Sequence, residues 1–228
     1  MNPDPPVNPG PPPVPAPPPL PVVERVGPWL SIWTAPRATL RRILATDARR
    51  RVLPIAALLG VAQALGAAAA RPLGDTVPAG TLLAGALLAG PLLGVAWIRV
   101  MGFLVRLTGR WLGGRGDPVA VRAALAWSSV PLVWGLLLWP PRAALLGEQT
   151  FHPIPAGIEG HPPSELLFGL IVLIEAAVKI WAVVLGAKCV GEAHGFSAWR
   201  GVGAWLLAGL ILAVPIGVLA VVAFGLAT

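Results

Sequence analysis

The sequence has 228 residues, of which 56% are hydrophobic and only 12% charged, and its mean hydropathy is +0.75. Ordinary water-soluble domains carry about a quarter charged residues, so this composition excludes a typical soluble fold. The net charge of +7 comes mostly from arginines that lie beside apolar stretches rather than along a polar module. This placement argues against nucleic acid as a partner and favours the bilayer, with its anionic lipid head groups.

Residues 1–26 are expected to form a disordered cytoplasmic tail. The first 23 residues contain twelve prolines and no aromatic residue, a composition that favours extended polyproline II and cannot bury a core. A ligand for a proline-recognising partner is the alternative, because PxxP spacings are present. The start of the chain lacks the basic and apolar regions of a secretory signal peptide. The first apolar span is therefore expected to serve as the insertion signal.

A cytoplasmic amphipathic helix is predicted before the first span. Thr34 is its candidate N-cap, and Pro36 suits its first turn. Its apolar face is formed by Leu40, Ile43 and Leu44. The candidate lipid-contact residues are Trp29, Trp33, Arg37, Arg41 and Arg42. The alternative is a basic anchor that only orients the first span.

Five apolar blocks follow, at about 52–70, 79–98, 120–139, 166–187 and 204–226. Each is close to the roughly 20 residues that a helix needs to cross a bilayer. Extended strands would leave backbone groups unpaired in lipid, and the alternating pattern of a barrel is absent. The predicted fold is an all-α, polytopic integral membrane protein in which residues 27–228 form one five-helix membrane domain.

The distribution of positive charge predicts the orientation. With a cytoplasmic N-terminus, 15 of the 17 Lys and Arg residues fall on the cytoplasmic side, where short basic loops are retained. The two exceptions are Arg71 and Arg142, the latter in a long external loop at 140–164. The C-terminus is then extracytoplasmic.

Prolines and small residues mark the interiors of the spans. Pro91, Pro131 and Pro215 lie near the middles of spans two, three and five and are candidate helix kinks. Such breaks favour a transport function, although membrane helices commonly tolerate proline. Small residues recur every four positions at Ala86, Gly90 and Gly94, and at Ala213 and Gly217. They predict close helix contacts, within one chain by default, while contacts in a homo-oligomer stay open.

Glu175 is the acid that lies well inside a predicted span, and Lys179 follows four residues later on the same helical face. An unpaired charge at that depth costs at least about 2.5 kcal/mol, so pairing or protonation is expected. The two residues are the candidate intramembrane polar site. The alternative is an internal ion pair that only fixes the packing of span four.

No recognised catalytic motif is present, since the sequence lacks HExxH, a phosphate loop and GxSxG. Cys189, Glu192 and His194 are close in sequence, but three mixed residues without a second cluster are a weak metal signal. The string WLGGRGD at 111–117 is expected to form a flexible cytoplasmic hairpin. No catalytic residue, metal or cofactor is predicted.

Three stretches carry a family resemblance: GPWLSIWTAPRATLRRI before the first span, WLGGRGDPVAVRAALAWSSVPLVWGLL into the third, and KCVGEAHGFSAWRG before the fifth. With five spans and a cytoplasmic N-terminus, the chain resembles a bacterial member of the Yip family, the Ypt-interacting proteins, over residues 27–226. Eukaryotic members bind prenylated Rab-type GTPases and assist vesicle traffic. The DLYGP-type sequence of that branch is missing here, so GTPase binding is not carried over.

The resemblance implies a non-enzymatic protein of the bacterial cytoplasmic membrane. The leading hypothesis is a membrane scaffold or adaptor whose surface helix and basic loops engage anionic lipid or an unknown protein partner. The alternative is a small transporter or channel component that uses Glu175 and Lys179. A third class, an intramembrane enzyme, has little support because no pair of acids and no nucleophile with its base is visible.

Overall fold

The computed structural model describes residues 27–153 and 160–227, and within these ranges the chain is helical with no β-strand. Five described segments are long and apolar enough to cross a membrane: Val52–Ala69, Ala79–Trp111, Pro118–Phe151, Pro162–His194 and Ala198–Val218. The prediction of an all-α protein with five membrane spans is confirmed. The predicted tail, 1–26, lies outside the described residues.

Two short helices, α1 (Pro28–Thr34) and α2 (Pro36–Asp47), precede the first membrane helix, α3 (Val52–Ala69). The prediction of Thr34 as an N-cap is wrong, because Thr34 ends α1 and Ala35 is the N-cap of α2. A residue that precedes proline is disfavoured in the α region. The helix therefore breaks at Ala35, whose φ is −130°, directly before Pro36.

The second membrane helix, α4 (Ala79–Trp111), crosses α3 at very short range. Gly60 of α3 lies against Gly90 and Gly94 of α4, and a Cβ atom added at Gly60 would overlap the Gly90 carbonyl. In lipid, such close approach replaces the hydrophobic driving force between helices. The small-residue stripe of span two therefore packs within the chain, whereas Gly217 of span five has open space beside it.

The third span is a broken helix rather than a continuous one. It consists of α5 (Pro118–Ser128), α6 (Val130–Trp134), a 3-10 turn, and α7 (Trp139–Leu146). The interruption falls at Ser129, two residues before Pro131, which has no N–H to continue the helical ladder. The Ser129 hydroxyl donates to the carbonyl of Ala126 at 2.7 Å.

The fourth and fifth membrane helices are α8 (Pro162–His194) and α9 (Ala198–Ala227). Both α4 and α8 have 33 residues, or about 50 Å at 1.5 Å per residue. Both helices thus extend past the predicted spans 79–98 and 166–187, each of which stops before a basic residue, Arg99 or Lys188. Backbone hydrogen bonding does not require apolar side chains, so both helices continue beyond the hydrocarbon.

The main core lies where α1 and α2 meet α3, α4, α5, α8 and α9. Leu40 and Val105 are fully buried there, and Trp127 is almost fully buried. The Thr108 hydroxyl of α4 donates to the Ala204 carbonyl of α9 at 2.8 Å. Large apolar side chains elsewhere on α4 and α8, such as Leu88 and Leu166, point outward, as expected for helices that face lipid.

Candidate functional site

The second N-terminal helix, α2, is docked onto the end of α8. Arg41 of α2 donates two hydrogen bonds to the Glu192 carboxylate, from Nε at 2.8 Å and from Nη2 at 3.1 Å. These bonds, followed by the negative charge of Glu192, raise the pKa of the Arg41 guanidinium above its ordinary value. Arg37 donates from Nη2 to the Phe196 carbonyl at 3.3 Å. Helix α2 is therefore held on the protein by polar contacts along one edge.

The glycine-rich connection between α4 and α5 wraps around His194, the last residue of α8. The Gly116 N–H donates to His194 Nδ1 at 3.2 Å, and the Arg115 N–H donates to the His194 carbonyl at 3.0 Å. The imidazole stacks on the Phe196 ring with centroids 5.1 Å apart. Glycine is needed at Gly114 because a Cβ atom there would lie 2.5 Å from His194 Nδ1.

The expectation of a flexible hairpin at 111–117 is therefore wrong. Gly113 adopts a φ of +84°, which turns the chain, and the Gly114 N–H closes back on the Gly109 carbonyl at 2.8 Å. A left-handed φ costs glycine little. The glycines here allow close packing and a tight turn. A glycine-rich sequence is compatible with either a packed turn or a flexible loop, so composition alone does not distinguish the two.

These contacts bring together the three stretches that carry the family resemblance. We name their meeting place the motif face, defined as residues 28–47, 112–117 and 191–197. The residues of the weak metal signal have separate roles within or beside it: Cys189 is buried, Glu192 binds Arg41, and His194 accepts a hydrogen bond from Gly116.

The apolar side of the predicted surface helix packs on protein. Leu40 is fully buried and Ile43 is 6% exposed, both in the main core. Trp29 contacts Trp127 edge to face at 5.6 Å, and Trp33 is partly buried against the same core. The lipid contacts predicted for Trp29, Trp33, Arg37, Arg41 and Arg42 stay a prediction. The buried apolar face of α2 would not contribute to them.

Charge reversal provides a test of how α2 is held. In Arg41→Glu the new carboxylate would face Glu192, so we expect faster amide hydrogen exchange across Pro36–Asp47. The double variant Arg41→Glu with Glu192→Arg restores opposite charges and should return exchange to the native rate. Equal exchange in all three proteins would show that this ion pair does not hold the helix.

A second polar region lies inside the membrane domain, around Glu175 of α8. The carboxylate pairs with Lys179 at 3.7 Å, as its spacing predicts, and with Arg142 Nη1, also at 3.7 Å. The Arg142 side chain is 6% exposed, whereas that of Lys179 is 66% exposed. The buried partner of Glu175 is therefore Arg142.

Arg142 was assigned by its sequence position to an external loop, and this assignment is wrong. It belongs to α7, where its guanidinium lies 5.5 Å from the Trp139 ring and 5.3 Å from the Phe168 ring. Its Nε donates to the Thr150 carbonyl at 3.3 Å. The exposed prolines around Arg142 are typical of a loop. Two features of the sequence nevertheless favour a buried cation at this position: the preceding Trp139, and the need of Glu175 for a positively charged partner.

Two neighbouring cavities open beside this polar region. One, of about 320 Å³, is lined by Gln63, Trp139, Glu175 and Lys179 among others. The second, of about 240 Å³, also includes Gln63 and Lys179, together with Ser128 and Ser129 at the break in span three. Polar side chains inside membrane helices commonly hold helices together, and Gln63, Ser128 and Ser129 line cavities as well.

The prolines occupy different settings. Pro131 follows the break at Ser129, whereas Pro91 and Pro215 lie inside the continuous helices α4 and α9. Kinks at Pro91 and Pro215 stay predictions. Pro131 lies in the chain between the cavity residues Ser129 and Leu132, whereas neither Pro91 nor Pro215 lines that cavity.

Five apolar helices and a densely packed helical core define a polytopic, all-α integral membrane protein. Residues 30–223 match the Yip1 domain, and the chain belongs to this family. No curated protein and no solved structure shows a significant match to the chain. The resemblance to the Yip family drawn from the three sequence stretches is thereby confirmed.

Proposed function

We propose that this Yip-family membrane protein is a non-enzymatic scaffold or adaptor that takes part in membrane organisation or trafficking-like processes. Its motif face is directed toward the cytoplasm of a bacterial cell, in the cytoplasmic membrane, with the C-terminus on the other side. There it engages a protein partner or anionic lipid. The supporting observation is that three sequence stretches far apart in the chain meet in this one face through Arg37, Arg41 and His194.

The surroundings of the motif face support its placement at a membrane surface. Trp111 and Trp199 are 63% and 83% exposed, and each is next to an exposed arginine, Arg110 or Arg200. Exposed tryptophans with basic neighbours are typical of the boundary between hydrocarbon and water. Apart from Lys179 and Arg142, which pair with Glu175 inside the membrane domain, the predicted topology puts 14 of the other 15 Lys and Arg residues on one side. This bias supports the cytoplasm as the side on which the boundary lies.

Site-specific photo-crosslinking in native membranes tests the adaptor role. A photoreactive amino acid at Ala38 or Ala45, both exposed on α2, should give a discrete protein adduct. The matched controls are Leu88 and Leu92, which are exposed on α4 where lipid is expected. Adducts from α2 and none from α4 are the expected result. No protein adduct from either α2 position would contradict a protein partner at this face and leave anionic lipid as its contact.

The cavities beside Gln63 and Lys179 favour a second candidate, a small transporter or channel component. If the protein is an adaptor, vesicles that contain it should conduct ions no faster than vesicles without protein. Lys179→Gln is the most informative variant, because it changes the lining of both cavities and leaves the pair of Arg142 and Glu175 in place. Flux through the native chain that disappears in Lys179→Gln would favour the transporter.

A further inference from the structure

A basic cleft lies apart from both regions described above, where α3 and α5 begin. Its volume is about 280 Å³. Three arginines line it, Arg49, Arg99 and Arg122, and most of the other lining residues are aliphatic, among them Val52, Leu53 and Ile98. The cleft thus joins a cluster of three cations to an aliphatic surface.

The three arginines have no carboxylate partner within the described residues, in contrast to Arg41 and Arg142. No acidic residue lines the cleft. The two acids nearest in sequence are engaged elsewhere: Asp47 accepts from the backbone N–H groups of Arg49 and Arg50, and Asp117 accepts from those of Val119 and Ala120. None of the three guanidinium groups is therefore in an ion pair within the described part of the chain.

The position of the cleft matches the boundary of the bilayer. Helices α3 and α5 both start there, and Arg99 follows the first 20 residues of α4, about the length that crosses the hydrocarbon. Exposed apolar side chains accompany the arginines: Leu53, which lines the cleft, is 58% exposed, and Leu92 further along α4 is 75% exposed. Cations at head-group depth above an aliphatic groove complement a phospholipid in both charge and polarity.

We propose that this cleft binds one anionic phospholipid, with its phosphate among Arg49, Arg99 and Arg122 and its acyl chains along the groove toward Leu53 and Leu92. Guanidinium groups bind phosphate through strong charge-assisted hydrogen bonds. Arg122 is partly positioned already, because its Nε donates to the Pro118 carbonyl at 2.8 Å and its aliphatic stem lies over Gly102. The site goes beyond the adaptor function and does not depend on it.

Native mass spectrometry of the full chain in uncharged detergent tests the site, with phosphatidylglycerol and phosphatidylcholine of identical acyl chains as probes. The native chain should retain one phosphatidylglycerol at least about tenfold more tightly than phosphatidylcholine. Arg49→Gln, Arg99→Gln and Arg122→Gln together should remove this preference. Arg110→Gln, Arg115→Gln and Arg200→Gln together lose the same charge outside the cleft and should keep it.

The single variant Arg99→Gln guards against misfolding of the triple one, because Arg99 is exposed on α4 and makes no internal ion pair within the described residues. It should weaken phosphatidylglycerol binding about threefold. An equal loss in both triple variants would overturn the site in favour of general surface charge. Glycerol 3-phosphate that displaces phosphatidylglycerol at equal concentration would also overturn it, because the groove would then contribute nothing.

Discussion

Replacement of Gly60 by leucine is expected to force α3 and α4 apart and to destabilise the native fold strongly. A Cβ atom at Gly60 would overlap the Gly90 carbonyl and lie 2.6 Å from the Gly94 nitrogen. Both neighbours are backbone atoms, so rotation of a side chain cannot relieve the collision. We expect a loss of about 3 kcal/mol or more, the upper end of the range for overpacked cores. Size-exclusion chromatography and thermal unfolding in detergent measure it.

Gly85 provides the matched control, because it lies on α4 with no atom within 4 Å of an added Cβ. Gly85→Leu adds the same side chain to the outer face of the helix and should leave the elution profile and the unfolding midpoint near native. If Gly60→Leu elutes as native protein with an unchanged midpoint, the close crossing of α3 and α4 is contradicted.

Replacement of Glu175 by alanine is expected to destabilise the protein by about 3 kcal/mol. The change leaves the Arg142 guanidinium, only 6% exposed, without its carboxylate. Removal of one partner of a buried ion pair typically costs about 3 to 5 kcal/mol. Because Glu175 itself is 21% exposed, the lower part of that range applies here. Unfolding of the purified protein in mixed micelles measures the difference.

Two comparison variants show which partner of Glu175, Lys179 or Arg142, contributes more to stability. Lys179→Ala removes the 66% exposed partner of Glu175 and should cost less than about 1 kcal/mol. Arg142→Met combined with Glu175→Leu removes both buried charges and should recover much of the stability lost in Glu175→Ala. A larger loss in Lys179→Ala than in Glu175→Ala would contradict Arg142 as the principal buried partner.

The number and helical nature of the membrane spans could be predicted because both follow from local composition. Backbone groups must be paired within a helix in lipid, and apolar blocks of about 20 residues meet that requirement. The helix ends could not be predicted in the same way. Beyond Arg99 and Lys188 the chain stays helical through backbone hydrogen bonds, and hydropathy does not report on these.

The site was harder to predict because its contacts join residues far apart in the chain. The pairing of Glu175 with Lys179 follows from a four-residue spacing, but that with Arg142 requires α7 to fold back against α8. Likewise, Arg41 and Glu192 are separated by 151 positions. The periodicity of α2 correctly groups Leu40 with Ile43, yet it does not distinguish a face on lipid from a face on protein.

The placement of the motif face on the cytoplasmic side is the central claim, and substituted-cysteine labelling of intact cells tests it most directly. Cys189 is fully buried, so the chain provides an unreactive background. New cysteines at Ala38 and Ser197 lie in the motif face, and those at Thr76 and Glu148 lie in connections that the proposed topology puts outside. All four positions are exposed.

A membrane-impermeant maleimide should label the cysteines at positions 76 and 148 in intact cells and those at 38 and 197 only after the membrane is opened. This alternation follows from five spans with the N-terminus inside. Labelling of positions 38 and 197 in intact cells, with positions 76 and 148 protected, would contradict the proposed orientation and with it the cytoplasmic adaptor.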